Sequence, residues 1–150
     1  MIRFLDNTLR DGSHQNKHSF DPQQVAKVAK ALDTLGIDII EVGHGNGLGA
    51  SSYQIGLSKY SDREIIEAAS NNIKSAKLGV HVIPGIATYK RDIEPAIKMG
   101  VNYFRVASHC TEADLTQSII EKIKSHNIEV WGALMMSHMA TINKLKNEIL

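Results

Sequence analysis

Short apolar runs alternate along the chain with longer segments in which apolar residues recur every three to four positions. The longer segments predict helices, because residues three and four apart share one face of a helix, and the short runs predict strands. Helices are expected after Asp21, after Ser61, around Asp92–Met99, after Thr111 and from Ile142 onward. Strands are expected at Ile2–Leu5, Ile37–Val42, Lys77–Ile83, Val101–Ala107 and Glu129–Leu134. The pattern therefore predicts five successive strand–helix units.

Two of the predicted helices carry specific start signals. Asp21 stands three residues before Gln24, and Ser61 stands three residues before Glu64, each directly ahead of an apolar-periodic segment. This spacing is typical of a capping box, in which each side chain accepts a hydrogen bond from the other residue's backbone N–H. In the third helix Pro95 is tolerable only in the first turn, because proline has no N–H to donate.

Strict alternation of strands and helices indicates an α/β fold with a parallel sheet and helical crossovers. A complete (β/α)8 barrel needs about 250 residues, so this chain is expected to form a partial (β/α)8 TIM barrel, about the first five β/α units. Residues 1–150 are therefore expected to be the N-terminal portion of a single TIM-barrel catalytic domain, truncated within the last predicted helix. A five-stranded doubly wound sheet is the alternative, which periodicity alone does not separate from the barrel.

Composition and charge exclude several classes of protein. The chain is 43% hydrophobic and 22% charged, and its 17 Lys and Arg residues nearly balance 16 Asp and Glu residues. No basic excess indicates a nucleic-acid partner, and no apolar run approaches the roughly 18 residues of a membrane span. Cys110 is the single cysteine, which excludes a disulfide framework and a cysteine-based zinc site. We therefore expect a reduced, cytoplasmic protein that binds neither nucleic acid nor membranes.

Polar residues gather directly after the predicted strands. In parallel α/β folds the functional groups collect at the carboxyl ends of the strands, and the distribution of histidines fits that rule. His81, late in the third strand, is a further candidate, whereas His126 is expected on a helix surface. Five histidines occupy positions after strands: His14, His18, His44, His109 and His138.

The segment Asp6–His14 concentrates side chains that are suited to catalysis. Arg10, Asp11 and His14 place a guanidinium, a carboxylate and an imidazole within five residues. Carboxylates and imidazoles are common ligands of divalent cations, a guanidinium can stabilise an enolate, and an imidazole can transfer protons near neutral pH. A polar loop with an internal Arg–Asp pair is the alternative, and residue types alone leave both interpretations open.

The segment Asp6–Gly12 resembles the signature of the DRE-TIM metallolyases, a superfamily that includes hydroxymethylglutaryl-CoA lyase and the pyruvate aldolases. Gly12-Ser13-His14 is similar to the 4-hydroxy-2-oxovalerate aldolases, because the CoA-using branches usually carry Gln at the position of His14. Further similar segments follow in the family's order and cover essentially the whole chain: Ile40–Gly45, Gly47-Leu48, Ser51-Ser52, Pro84–Ile86, Arg105–Asp114 and Leu134–Met139.

The resemblance implies retro-aldol cleavage of 4-hydroxy-2-oxopentanoate, a small 4-hydroxy-2-oxo acid, to pyruvate and acetaldehyde. It implies that Asp11 binds the metal and the chelated substrate, that Arg10 binds the substrate and stabilises the enolate, and that His14 is the catalytic base. Glu41 matches a catalytic-site acid of the family, whose role is to position Arg10 or Arg105. A structural ion pair between Glu41 and Arg105 is the alternative interpretation.

The resemblance also implies a divalent metal cofactor, most commonly Mn²⁺. The family's two other metal ligands form a His-x-His pair, which this sequence lacks. We therefore expect the chain to be inactive alone, as a truncated gene product. The family acts in the catabolism of aromatic hydrocarbons, and its aldolases often pair with an acylating acetaldehyde dehydrogenase, which is the partner expected here.

Other functions fit the sequence less well. A CoA-dependent synthase or lyase of the same superfamily is the nearest alternative, and His14 argues against it. A non-catalytic fragment that only associates with itself or with a dehydrogenase is the second. The loop Gly43–Gly49 has alternating glycines instead of the dinucleotide-binding spacing, so nucleotide binding is disfavoured. Ser137 and His138 are adjacent, which by itself does not make a nucleophile and base.

Overall fold

The fold is seen in a computed structural model that describes residues 2–149, so Met1 and Leu150 lie outside the described residues. The strands are β1 (Leu5–Asp6), β2 (Ile39–Glu41), β3 (Lys77–Val82), β4 (Tyr103–His109) and β5 (Glu129–Met135). The α-helices are α1 (Pro22–Thr34), α2 (Asp62–Ser70), α3 (Glu94–Lys98), α4 (Asp114–Lys124) and α5 (Ile142–Ile149). Short 3-10 helices span Asp11–Asn16 and Ser137–Met139, and a π-type turn spans Tyr89–Ile93.

The five strands form one sheet in the order β1-β2-β3-β4-β5. Every neighbouring pair is parallel, and the register runs without reversal from Leu5↔Ile39 to His109↔Met135. A doubly wound sheet reverses its strand order at a switch point, whereas a (β/α) barrel adds each new strand beside the last. The predicted α/β fold with five units of a partial barrel is therefore confirmed, and the doubly wound alternative is excluded.

Both predicted capping boxes are confirmed. At α1 the Gln24 N–H donates to Asp21 Oδ1 at 2.7 Å, and the Asp21 N–H donates to Gln24 Oε1 at 3.0 Å. At α2 the Glu64 N–H donates to Ser61 Oγ at 3.3 Å, and the Ser61 N–H donates to Glu64 Oε2 at 2.8 Å. These bonds satisfy N–H groups that the first turn of a helix leaves free, so each helix begins where its sequence signal stands.

Several predicted boundaries differ from the structure by one to three residues, as at β2, β4 and the start of α4, and two differences have a clear physical reason. The strand expected at Ile2–Leu5 is found at Leu5–Asp6, because pairing with β2 begins only at Leu5, and Ile2 is 82% exposed. The helix expected around Asp92–Met99 is found as a π-type turn at Tyr89–Ile93 followed by α3 at Glu94–Lys98. Pro95 does lie in the first turn of α3, and its missing N–H leaves the preceding turn without a regular helical bond.

The apolar core lies between the outer face of the sheet and the helices. Neighbouring strand residues alternate between the two faces, so Ile40 faces this core while Glu41 faces the opposite, inner side. The core is fully buried, and representative members are Val25, Ile40, Ile66, Val80, Phe104 and Ile123. Burying these side chains stabilises the fold by roughly 1.5–3 kcal/mol each. Because this apolar core lies on the outer face of the sheet, polar groups can occupy the inner face.

The helices are short compared with a bilayer. The longest, α1, has 13 residues, and among residues 2–149 no helix has the length and apolar character that crossing a membrane requires.

Candidate active site

Charged side chains from three separate parts of the chain meet on the inner face of the sheet. Register pairs Glu41 with Gly79 and His81 with Arg105, and paired residues of parallel strands point to the same side. Arg10 and Asp11 follow β1 at the same edge, where the chain enters the first 3-10 helix. The ends of β1 and β2, the late part of β3 and the middle of β4 therefore bring together groups that lie far apart in sequence.

A buried ion-pair network centres on Glu41, which is 0% exposed. Arg105 donates to its carboxylate twice, from Nε at 2.6 Å and from Nη2 at 2.7 Å, and Arg10 donates from Nε at 3.1 Å. Burial by itself raises the pKa of Glu41, but the hydrogen bonds and charges of Arg105 and the charge of Arg10 outweigh it, so the pKa lies below its ordinary value. Glu41 is therefore an ionised anchor between two arginines.

This geometry matches the positioning role that the resemblance implies for Glu41, and it also matches the structural ion pair with Arg105. A direct catalytic role for Glu41 stays a prediction. Both carboxylate oxygens already accept hydrogen bonds, and the side chain has no exposed surface, so its contact with a substrate would pass through the arginines.

Arg10 is held on two sides. Besides its bond to Glu41, its Nη1 donates to Asp11 Oδ1 at 2.7 Å and to the carbonyl oxygen of Gly45 at 3.0 Å. The side chain is 7% exposed, and no hydrogen bond to another described residue uses Nη2. A guanidinium fixed at Nε and Nη1 presents its remaining N–H donors in one direction, which suits the recognition of an oxyanion.

Asp11 is the exposed member of this group, with 58% of its side chain accessible. Its carboxylate is hydrogen-bonded to Arg10, so the Arg–Asp pair that the sequence allowed is present. The pair and a metal-binding role do not exclude each other, because a carboxylate has lone pairs for both partners. Among residues 2–149, however, no group of three His, Cys, Asp or Glu side chains could hold a metal ion. A metal site at Asp11 is incomplete with these residues.

Three of the predicted histidines form a cluster beside Arg10, which we call the histidine cluster: His14, His18 and His44. The His18 and His44 rings are stacked, with centroids 3.6 Å apart and planes at 19°. The His14 ring meets His18 edge-on at 4.9 Å. Burial, together with the neighbouring imidazoles of His44 and His14, lowers the pKa of His18 to about 4. Burial likewise lowers the pKa of His44.

His81 lies on the inner face beside Arg105 and is buried, with 4% exposure. Its Nδ1 has no hydrogen-bond partner among the described residues. Burial lowers the pKa of His81 to about 4, and the charges of Arg105 and Arg10 act in the same direction. His81, a further candidate from its place late in β3, is therefore a neutral imidazole at the site.

The other predicted histidines lie elsewhere. His109 Nδ1 is 2.8 Å from Thr111 Oγ1, and His138 is exposed in the 3-10 helix after β5. No ring contact within residues 2–149 connects either of them to the histidine cluster. His126 lies beyond the end of α4, where its Nε2 is 2.6 Å from Tyr89 Oη, in agreement with the expected surface position.

The glycine-rich loop after β2 forms part of the site, and the individual contacts of Gly45 and Gly47 were not predicted from the sequence. The Leu48 N–H donates to the carbonyl oxygen of His81 at 2.9 Å, and a methyl group at Gly47 would overlap that same carbonyl. Gly47 also has φ +91°, which side chains rarely adopt. The alternating glycines were the sequence feature that indicated a close backbone contact, because residues without a side chain let the loop lie directly against the end of β3. The next helix begins only at Asp62, which does not resemble a dinucleotide-binding turn.

A parallel sheet in sequential strand order, with charged groups at the carboxyl ends of its strands, defines the class of (β/α)-barrel proteins. Residues 1–149 match the family model described as HMGL-like, and the chain belongs to that family.

Individual relatives within this family are 4-hydroxy-2-oxovalerate aldolases. Over 144 residues the chain is 48% identical to the 4-hydroxy-2-oxovalerate aldolase of Carboxydothermus hydrogenoformans. That alignment covers 96% of this chain and 43% of the relative. The chain is 45% identical over 144 residues to 4-hydroxy-2-oxovalerate aldolase 2 of Salinispora arenicola. That alignment covers 96% of this chain and 41% of the relative. These relatives confirm the resemblance read from the motifs. The chain spans less than half the length of either relative.

A solved structure supports the fold. The N-terminal domain of a protein from Bacteroides vulgatus that is described as an aldolase aligns with a TM-score of 0.75. The alignment covers 95% of this chain and 48% of that chain at 21% sequence identity. At this identity the similarity supports the half-barrel fold and not a function.

Proposed function

We propose that this chain forms the Arg10–Asp11–His14 side of a lyase active site that cleaves a 4-hydroxy-2-oxo acid by a retro-aldol reaction. The observation that carries the proposal is the fixed guanidinium of Arg10, bound to buried Glu41 and to Asp11 at the carboxyl ends of the strands. The names of the relatives support 4-hydroxy-2-oxopentanoate as the substrate, and retro-aldol cleavage of its C3–C4 bond gives pyruvate and acetaldehyde.

Arg10 would recognise the anionic part of the substrate. Cleavage of the C3–C4 bond leaves the electron pair on C3, delocalised onto the 2-oxo oxygen as an enolate, and the acetaldehyde departs. A fixed donor aimed at that oxygen stabilises the developing charge more than it stabilises the ground state. Glu41 and Gly45 hold the guanidinium before the substrate arrives, so little reorganisation is needed.

His14 would accept the proton of the 4-hydroxyl, directly or through one water molecule. Its ring is exposed at the same edge as Arg10, so a substrate can reach both groups. Loss of that proton lets the 4-oxygen become the aldehyde oxygen as the C3–C4 bond breaks. The enolate then takes up a proton at C3 to give pyruvate.

Asp11 would supply one oxygen ligand to a divalent cation, Mn²⁺ by resemblance, which would act as a Lewis acid toward the 2-oxo group. The described residues do not complete such a site. The acylating acetaldehyde dehydrogenase stays a predicted partner.

The test uses two proteins: the 150-residue chain, and a hybrid in which residues 1–149 precede the part of the Carboxydothermus relative beyond its aligned stretch. Pyruvate release from 4-hydroxy-2-oxopentanoate is measured with Mn²⁺ and with EDTA. We expect Mn²⁺-dependent turnover by the hybrid and none by the chain alone.

Arg10→Ala in the hybrid should lower kcat by roughly 10²–10³-fold, because it removes an oxyanion donor. Arg63→Ala is the matched control, since that side chain is 76% exposed on α2. A folded hybrid without turnover, or one in which Arg10→Ala behaves like Arg63→Ala, would overturn the proposal.

A further inference from the structure

We infer that His18, His44 and Gly45 are positioning residues that fix the imidazole of His14 against Arg10. The inference rests on the proposed function, because His14 is the proposed base. The arrangement itself is a property of this chain and can be tested without turnover.

His44 is locked by its two ring nitrogens. Its Nδ1 accepts the N–H of Asn46 at 3.0 Å, and its Nε2 lies 3.1 Å from the carbonyl oxygen of Gly56. A carbonyl only accepts, so Nε2 carries the hydrogen and the ring is the neutral Nε2–H tautomer. With both nitrogens engaged and 2% exposure, the ring of His44 can neither turn nor shift without breaking a buried hydrogen bond.

His18 lies flat on this fixed ring. Its Nδ1 accepts the N–H of Gly45 at 3.4 Å and lies 2.9 Å from Ser13 Oγ, which sets its rotation. The backbone is strained to bring it there, since Lys17 and His18 have φ of 54° and 55° in the left-handed region. Two consecutive non-glycine residues in that region are uncommon and persist only where the surrounding structure requires them. Here the turn folds His18 back beneath the 3-10 helix that carries His14.

Gly45 is the third element, because it contacts both members of the proposed catalytic pair. Its carbonyl oxygen accepts a hydrogen bond from Nη1 of Arg10. A methyl group on its α-carbon would overlap the ring of His14. Gly45 does not have a positive φ, so alanine fits its backbone, and the three atoms nearest to the added methyl group all belong to the imidazole of His14. One residue therefore sets the separation between the base and the guanidinium, and the ring of His18 contacts the same imidazole in a T-shaped arrangement with centroids 4.9 Å apart.

The first experiment is NMR of the 150-residue chain with ¹⁵N-labelled histidine. We expect Nε2–H tautomers for His18 and His44 and a nuclear Overhauser contact between the rings of His14 and His18. His18→Phe keeps an aromatic ring beside His14 and should keep the His14 ring resonances in place, whereas His18→Ala and Gly45→Ala should shift them. Gly132→Ala is the control, because its methyl group would meet only Ile120 Cδ1 at 3.7 Å. Absence of the ring contact in the unaltered chain would overturn the arrangement.

The second experiment measures kinetics in the hybrid. A misplaced catalytic group can cost about 10²-fold in rate, so Gly45→Ala should lower kcat by 10- to 100-fold with KM changed less than about threefold. His18→Phe should restore most of the kcat that His18→Ala loses. An unchanged kcat in a Gly45→Ala hybrid whose His14 resonances have moved would overturn the positioning role. A hybrid without any turnover would overturn the proposed function instead, and the NMR result would still decide the arrangement of the rings.

Discussion

The centre of the sheet and its fifth unit contrast in an instructive way. Across β2 to β4 the inner face buries charged groups, and Glu41 has no exposed surface. At β5 and beyond, large apolar side chains are exposed instead: Trp131 at 45%, Met139 at 64% and Ile142 at 72%. Residue type alone therefore does not decide burial in this chain.

Partners explain the difference. Glu41 has two arginines that offset the cost of removing its charge from water, and its strand has a neighbour on each side. Among the described residues β5 has a neighbour on one side only, and α5 covers little of it. Buried polar groups depend on specific partners, whereas apolar groups need only surface to lie against.

The largest expected effect comes from breaking the central ion pair. Glu41→Ala leaves the buried Arg10 and the half-buried Arg105 without their shared partner and should lower the free energy of unfolding by about 3–5 kcal/mol. Glu67→Ala removes an exposed i,i+4 partner of Arg63 and should cost no more than about 0.5 kcal/mol. Urea unfolding of both variants measures the difference. Equal losses would show that the network around Glu41 contributes no more than a surface pair.

A pair of isoleucines sharpens the contrast between the two regions. Ile66 is 0% exposed in the core, so Ile66→Ala should cost about 2–4 kcal/mol, while Ile142→Ala at 72% exposure should stay within about 0.5 kcal/mol. Thermal and urea unfolding of the two variants give the comparison. A cost at Ile142 close to that at Ile66 would mean that α5 is covered in solution.

The smallest expected effect is on pH dependence. The pKa of His18 and of His81 is lowered to about 4 from 6.5 by burial, so the unfolded chain binds more protons than the folded chain between those values. The contribution of these neutral imidazoles is complete above pH 6.5 and is lost as the pH falls toward 4, by roughly 1–2 kcal/mol at pH 5 for the buried His81 and by less for the more exposed His18. His81→Leu should flatten this slope in urea unfolding between pH 7.5 and pH 5. An unchanged slope would contradict the buried neutral state of His81.

Local patterns predicted much of the fold. The capping boxes at Asp21 and Ser61 were correct because their hydrogen bonds join residues three apart, and strand–helix alternation was correct because periodicity follows burial. The start of β1 was misplaced because Ile2 has the residue type of a strand but lies outside the pairing with β2. The π-type turn before Pro95 was missed because it depends on one absent N–H in a segment that is otherwise helical.

The candidate site was predictable in part. The residues Arg10, Asp11 and His14 stand within one short segment, so motif and chemistry pointed to them together. The stacking of His18 on His44 and the contact of the His14 ring with Gly45 could not be predicted from the sequence, because these contacts join loops that follow two different strands. The same holds for the three-way contact of Glu41 with Arg10 and Arg105, which the family resemblance anticipated only as a pair.

The sequence by itself determined where α1 and α2 begin, that the strands are parallel and which short segment carries the reactive groups, because those properties depend on near neighbours and on periodicity. Tertiary structure decided the sequential strand order, the charge state of Glu41 and the neutral forms of His18 and His81. These depend on burial and on partners brought together from distant positions, and the free energy of a charge changes with both.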